Sequence, residues 1–381
     1  MSKSKIAVFH AFLQNKGGAE KVVIDICRYY GADLFVGGVR SDLFNKNSPD
    51  SFSQAIFHEI PSFTPLHEDS KLFGWKHIKR QLYFLFSPKV KQLEKYDLVI
   101  FSGNIASIPT RIKSKGPKII TYCHTPPRPF TDQKHKLLKR INPILRPLYE
   151  ILSKLVIASF KKGLLESNEV ISNSINIQKR LKKYVGVDSI PIYPPINTTK
   201  FQYNKPGDYY LSHSRLEEIK RIPLIIEAFK KLPDKQLIIC STGPLKEWVE
   251  KQIEMYNLSN IEYRGLVSDA ELEELVGSCK AGIVIPEDED AGITQCEIMA
   301  AGKPVLGVRE GGLLETVVHK KTGYLIPANP GIEDLVEGIQ WLEAADTDAM
   351  KTDCIKQGKK FDRQVFFDKM TEVMSNLSVT V

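Results

Sequence analysis

The stretch "AGIVIPEDEDAGITQCEIMAAGKPVLGV", residues 281–308, holds a whole structural unit in one line. An apolar run opens it and an acidic turn follows. Gly292 separates that turn from a helical pattern, and Gly302 caps the helix before a second apolar run. Strand, loop, helix and strand in that order, with strands too apolar to have a wet face, describe a parallel pair joined by a crossover helix. The alternation continues outward in both directions. Strand-like runs stand at "KIAVFH" (5–10), "DLVIFSG" (97–103), "KIITYCH" (118–124), "EVISNS" (169–174), "YYLSHSR" (209–215), "QLIICSTG" (236–243), "IEYRG" (261–265) and "TGYLIP" (322–327). Helical patterns such as Ala19–Tyr30, "PLIIEAFKKL" and "SDAELEELVGSC" sit between them. The fold class is therefore α/β, with parallel sheets covered on both faces.

At 381 residues the chain is longer than one core usually supports, which implies two domains. The joint falls at "PIYPPI" (191–196), because each proline restricts itself and its predecessor to extended geometry. Two Rossmann-like domains facing across a cleft are expected, at 1–193 and 194–361. The tail "FDRQVFFDKMTEVM" (361–374) has apolar residues at helical spacing and needs a surface to lie against. The six cysteines form no C-x-x-C pair and no metal-ligand spacing, and several sit in apolar runs. Reduced, buried thiols in a reducing cytosol fit that usage. No apolar leader opens the chain, and no run reaches the ~18 apolar residues of a membrane span. A cytoplasmic protein, at most peripheral on the inner face of the cell membrane, is expected.

Charge is distributed unevenly. Residues 1–195 carry 31 Lys and Arg against 15 Asp and Glu, a balance of +16, whereas the remainder carries 22 against 30. The first half is expected to face something anionic: nucleic acid, a membrane surface or a phosphorylated substrate. Its basic segments 76–95 and 134–162 mix Lys and Arg with aliphatic and aromatic residues. That composition suits docking on anionic lipid, or simply solvated helix faces.

Four stretches lie where open α/β sheets bind ligands, beyond the carboxyl ends of strands. "LQNKGGAEK" (13–21) follows the first strand and opens a helix, so Gly17 and Gly18 allow close approach to a phosphate or simply form a turn. In "YCHTPPRPFTD" (122–132) two prolines stiffen a loop carrying His124, Arg128 and Asp132, as site or as scaffold. In "SHSRLEEIKR" (212–221), Arg215 and Lys220 either converge on a diphosphate or make a solvated basic turn. In the opening stretch Glu289 sits on the acidic loop and Glu297 in the first helical turns, with the amides of Gly292, Ile293 and Thr294 between. Carboxylates that each accept two hydrogen bonds match vicinal hydroxyls, and an anion site between them describes a nucleotide sugar. Asp288-Glu289-Asp290 is also a D-x-D that could hold Mg²⁺ or Mn²⁺.

Together these motifs resemble the retaining glycosyltransferases of family four, which have the two-domain GT-B fold. The resemblance runs through "GGAE", "YCHTPPR" with Asp132, "IYPPINTTKF", Arg215–Leu216 with Lys220, "STGPL", "IEYRGLVSDAELEELVGSCKAGIVIP", the E-x7-E of Glu289 and Glu297, "GGLLETV" and "TGYLIP". The "YCHTP" and "IYPPI" forms look most like the mannosyltransferase branch. The resemblance implies transfer of a hexose, mannose from GDP-mannose, to a lipid-linked or glycan acceptor with retention and without a metal or other cofactor. It implies Gly17 and Gly18 near the diphosphate or acceptor, His124 by the transferred sugar, and Arg215 with Lys220 on the leaving diphosphate. Glu289 would hold donor-sugar hydroxyls, Glu297 the ribose diol, and backbone around Gly243 and Arg264–Val267 would border the nucleotide. Arg128 and Asp132 would position the acceptor or the loop, and the terminal helix at 362–375 would cross back onto the first domain. Three positions depart from the family: Ala291 where a larger apolar residue is common, leaving room near the sugar, Ser214 before Arg215, and Arg221 where glycine often follows the lysine. A UDP-glucose or UDP-N-acetylglucosamine donor is the alternative. Nucleic-acid binding by the basic half is another, though no zinc-finger spacing or aromatic ribonucleoprotein signature supports it.

Overall fold

The computed structural model describes residues 3–13, 15–48, 50–66, 88–103, 112 and 116–381. Contacts divide the chain into two units: Met1–Tyr193 with Phe367–Val381, and Pro194–Phe366. Residues 362–366 stay with the second unit, past the boundary at 361 read from the sequence. The reason is local: Arg363 N donates to Ile196 O at 2.8 Å, and Thr198 Oγ1 donates to the Asp362 carboxylate.

In the first unit seven strands form one sheet: β1 (Ile6–Leu13), β2 (Asp33–Val39), β3 (Phe63–Pro65), β4 (Leu98–Ser102), β5 (Lys118–Cys123), β6 (Glu169–Ser172) and β7 (Ile190–Pro191). Their order is β3-β2-β1-β4-β5-β6-β7 and every pairing is parallel. β4 is buried along its whole length and β5 except at its first residue, which is why their sequences lack polar alternation. Pro191 lies on the edge strand, where a missing N–H costs no ladder bond. The helix Arg363–Asn376 supplies Phe367 to this unit, where its ring stacks on Tyr29 at 3.7 Å and meets Tyr30 edge-on at 5.7 Å.

The second unit holds β8 (Tyr209–Ser212), β9 (Gln236–Cys240), β10 (Ile261–Gly265), β11 (Ala281–Val284), β12 (Val305–Val308) and β13 (Gly323–Ile326). Their order is β10-β9-β8-β11-β12-β13, again parallel throughout. In each sheet the strand order reverses once, between β1 and β4 and between β8 and β11. Crevices at such reversals are where doubly wound sheets place ligands. All six cysteines are free and buried. Among the described residues no helix is long and apolar enough to cross a membrane.

Candidate active site

The loops after β8 and β11 leave the reversal point of the second sheet side by side, and they carry the charged residues singled out from the sequence. Lys220 Nζ lies 2.5 Å from Glu289 Oε2, with both side chains about four-fifths buried. Arg215 leaves the same loop and pairs with Glu217 at 2.9 Å. Glu297, the fourth residue of the helix Thr294–Ala300, is almost fully buried and receives His213 Nε2 on Oε2 at 3.3 Å. His213 was not singled out from the sequence. Its signal is weak, since it stands 84 residues from Glu297 and only the β8–β11 pairing brings the two together.

The acidic turn is held from below. Asp288 adopts a left-handed φ of 53°, and Gly312 N donates to Glu289 O at 2.8 Å. A Cβ on Gly312 would meet Ala291 O at 2.5 Å, so only glycine lets the "GGLLETV" turn pack under the loop. Gly292, at φ 77°, lies against the buried Gln295 amide, which donates to Ala291 O and Thr316 Oγ1. Ala291 itself is 3 % exposed, so its methyl packs within the turn and away from solvent. Glu287 N donates to Ile219 O at 2.6 Å. Arg221, also left-handed at φ 53°, donates to Ile285 O, Pro286 O and Ala328 O and pairs with Glu310 at 2.8 Å. Its guanidinium thus ties the lysine loop to the acidic loop.

Two of the expected donor residues have close neighbours of their own. A Cβ on Gly243 would stand 2.5 Å from Leu216 O, so this glycine admits the backbone just after Arg215. Arg264, on the edge strand β10, pairs with Glu262 at 2.7 Å and Glu271 at 3.6 Å rather than with any residue of the cluster. Among the described residues no three His, Cys, Asp or Glu side chains group as a metal site, Asp288, Glu289 and Asp290 included.

In the first unit the reversal point lies between β1 and β4. His10 Nδ1 meets Ser102 Oγ at 3.0 Å, and the same hydroxyl meets His124 Nε2 at 2.7 Å, a chain across three adjacent strand ends. Burial pulls the His10 pKa down to about 4; burial and then His10 pull that of His124 down to about 3. Both rings are neutral near pH 7, so His124 works through hydrogen bonds and not as a cation. His10 and Ser102 also escaped the sequence reading, because a buried polar residue in an apolar strand looks like ordinary core. Gly17 caps the helix Gly18–Tyr30, and a Cβ there would come within 3.0 Å of Glu20 Oε2. Arg128 grips Asp132 through Nε and Nη2, both at 3.0 Å, and Arg180 approaches the same carboxylate at 3.7 Å. That triad fixes the loop carrying His124.

Two family models match the chain: one described as Glycosyltransferase Family 4 over residues 16–200, and one as Glycosyl transferases group 1 over residues 196–361. The alpha-1,3/1,6-mannosyltransferase ALG2 of Dictyostelium discoideum is 28 % identical, over 86 % of this chain and 87 % of its own. That of Saccharomyces cerevisiae is 26 % identical, over 90 % and 77 %. Among solved structures, Anabaena HepE in complex with UDP superposes with a TM-score of 0.75 at 18 % identity, covering 98 % of this chain and 100 % of that one. The sucrose-phosphate synthase of Thermosynechococcus elongatus gives 0.76 at 16 % identity, covering 98 % and 99 %. At such identities the structural likeness establishes the fold, which is GT-B.

Proposed function

Because this chain belongs to the glycosyltransferases, with the family 4 type in its first half and group 1 in its second, we propose that it moves mannose, with retention of configuration, from GDP-mannose to a hydroxyl of a lipid-linked or glycan acceptor. That it is a hexosyltransferase follows from the two family models and the mannosyltransferase relatives. The choice of donor and acceptor is our reading. One observation carries the site: Lys220 and Glu289 pair at 2.5 Å at the β8–β11 reversal, with Arg215 on the same loop and Glu297 anchored by His213.

The pair is a resting state suited to exchange. A donor diphosphate offers Lys220 a stronger partner, and the carboxylate it leaves then accepts hydroxyls of the sugar. Arg215 adds a forked donor for the departing diphosphate, which is where charge develops as the bond from the sugar's anomeric carbon breaks. The acceptor oxygen bonds to that carbon on the same face, and its proton passes to the leaving phosphate oxygen. Glu297 takes the ribose diol, which is why a carboxylate is kept nearly buried and oriented by an imidazole. Lys220 and Arg215 would supply the positive charge at the diphosphate, and on this reading transfer needs no divalent metal. On the first unit, His124, neutral and tethered to Ser102, offers a hydrogen-bonding group at that unit's own strand reversal.

The test is transfer to a polyprenyl-diphosphate-linked glycan from GDP-mannose, UDP-glucose and UDP-N-acetylglucosamine in parallel, with the product anomer read by NMR. Mannose incorporation with the donor configuration kept is expected. Incorporation from a UDP-sugar alone would replace the donor assignment.

A further inference from the structure

Gln295 is the second residue of the helix Thr294–Ala300, and none of its surface is exposed. Its Nε2 gives both protons to the chain beneath the acidic turn, one to Ala291 O at 3.1 Å and one to Thr316 Oγ1 at 3.0 Å. Thr316, also buried, gives its own hydroxyl proton to Gly312 O at 3.0 Å, so its oxygen is left to accept. That arrangement fixes which way round the amide lies, because the reverse would set Oε1 against the Ala291 carbonyl. It also leaves Gln295 Oε1 buried with no hydrogen-bond partner among the described residues. A fully buried amide with one end unsatisfied is a costly filling for a place that leucine or methionine could pack. The group it holds there is a single peptide.

The Ala291 carbonyl points inward, toward Gln295 Nε2 and against Gly312, where a Cβ would come within 2.5 Å of its oxygen. The peptide is trans, so the Gly292 N–H on its far side points away from Gln295. Gly292 is partly exposed, and among the described residues its N–H has no hydrogen-bond partner. Rotating this one peptide through half a turn changes ψ of Ala291 and φ of Gly292 and little else. Glycine accepts the present φ of 77° and its negative counterpart alike. The residue that permits the turn thus permits its reversal, and the hydrogen bond from Gln295 opposes it. The two states differ in what they show to an anion, an N–H donor in one and a carbonyl oxygen in the other. Along the chain Gly292 stands between Glu289, read above as holding the donor sugar, and Glu297, read as holding the ribose, so the diphosphate is the group opposite it. We propose that Gln295 is a positioning residue for the donor diphosphate: it latches the Ala291–Gly292 peptide with its carbonyl inward, so that the Gly292 N–H faces the phosphate next to the sugar. The proposal rests on the donor-site reading above, but the latch itself belongs to the ligand-free chain and is tested apart from it.

The experiment compares the full chain with its Gln295→Met variant, which keeps the length of the side chain but has no proton to donate. High-resolution crystal structures should show the Ala291 carbonyl inward in the wild type and turned outward in the variant. In calorimetric titrations the substitution should weaken GDP by at least about five-fold and GMP, which lacks the second phosphate, by less than about two-fold. The ratio of the two affinities is a readout that loosened packing alone does not move. Thr316→Val, which keeps Gln295 but removes the acceptor of its second proton, should lower the same ratio by a smaller factor, and Thr316→Ser should keep the wild-type value. If Gln295→Met fails to fold, the Thr316 pair carries the test. An Ala291 carbonyl still inward in Gln295→Met, or GDP and GMP weakened by one common factor, would overturn the proposal. Wild type that binds neither nucleotide would instead sink the donor-site reading, and the carbonyl direction in Gln295→Met would still decide the latch.

Discussion

Arg221→Gly sets two opposing effects against each other, and the structure says which wins. At φ 53° the arginine backbone sits in the left-handed region, which costs a non-glycine residue about 1–2 kcal/mol. Glycine removes that cost but loses about 0.5–1 kcal/mol of extra chain entropy on folding, so the backbone gain is at most about 1.5 kcal/mol. Against this stand three guanidinium hydrogen bonds, to Ile285 O and Pro286 O at 3.2 Å and to Ala328 O at 2.9 Å, and the Glu310 ion pair at 2.8 Å. At a net value near 1 kcal/mol for each hydrogen bond, the substitution removes about 3 kcal/mol and strands a mostly buried carboxylate. The expected balance is a loss of about 1.5–3 kcal/mol. For a unit of this size that lowers the melting temperature by about 5–10 °C, read by calorimetry. Ile285 and Pro286 lead directly into the acidic turn, so nucleotide affinity should fall as well. Arg221→Lys, which keeps the charge and the backbone strain but not the fork, should also destabilise. A glycine variant that melts at or above the wild type, with unchanged nucleotide affinity, would refute the clamp.

The neutral histidines of the first unit set its acid limit: their folded pKa values, about 4 for His10 and about 3 for His124, lie below the unfolded value of about 6.5. Their contribution is therefore complete above pH 6.5 and lost as pH falls toward 4. At about 1.4 kcal/mol per unit, His10 alone accounts for on the order of 3 kcal/mol. Urea midpoints between pH 7 and 4.5 should drop steeply, and His10→Asn should flatten the drop. Phe367→Ala removes a fully buried ring stacked on Tyr29 and should cost about 3–5 kcal/mol, with hydrogen exchange rising along the terminal helix. Gly312→Ala places a Cβ 2.5 Å from Ala291 O and should weaken nucleotide binding by displacing the acidic turn, which a titration would detect as a raised dissociation constant.

What could be read without coordinates follows from physical range. Strands buried on both faces announce themselves as unbroken apolar runs, and β1, β4, β5, β8, β9 and β11 lie where those runs do. β2 was missed because Gly37 and Gly38 interrupt its run, and β7 because a proline motif reads as a joint before it reads as an edge strand. The GT-B architecture, the loop positions of Lys220 and Glu289 and the helical position of Glu297 were legible from motif order. Partnerships across the sheet were not. His213 with Glu297, His10 with Ser102 and His124, and Arg180 with Asp132 each join residues far apart in sequence, and only strand order decides those meetings.

The donor site on the second unit is tested most directly by calorimetric titration of GDP and UDP with EDTA present, on wild type and Glu297→Ala. GDP should bind without metal, more tightly than UDP, and the substitution should weaken it by about 2 kcal/mol, the loss due to charge-assisted bonds to the ribose. Binding that appears only when Mg²⁺ or Mn²⁺ is restored, or an affinity indifferent to Glu297, would contradict that reading and return the acidic turn to a metal-binding role.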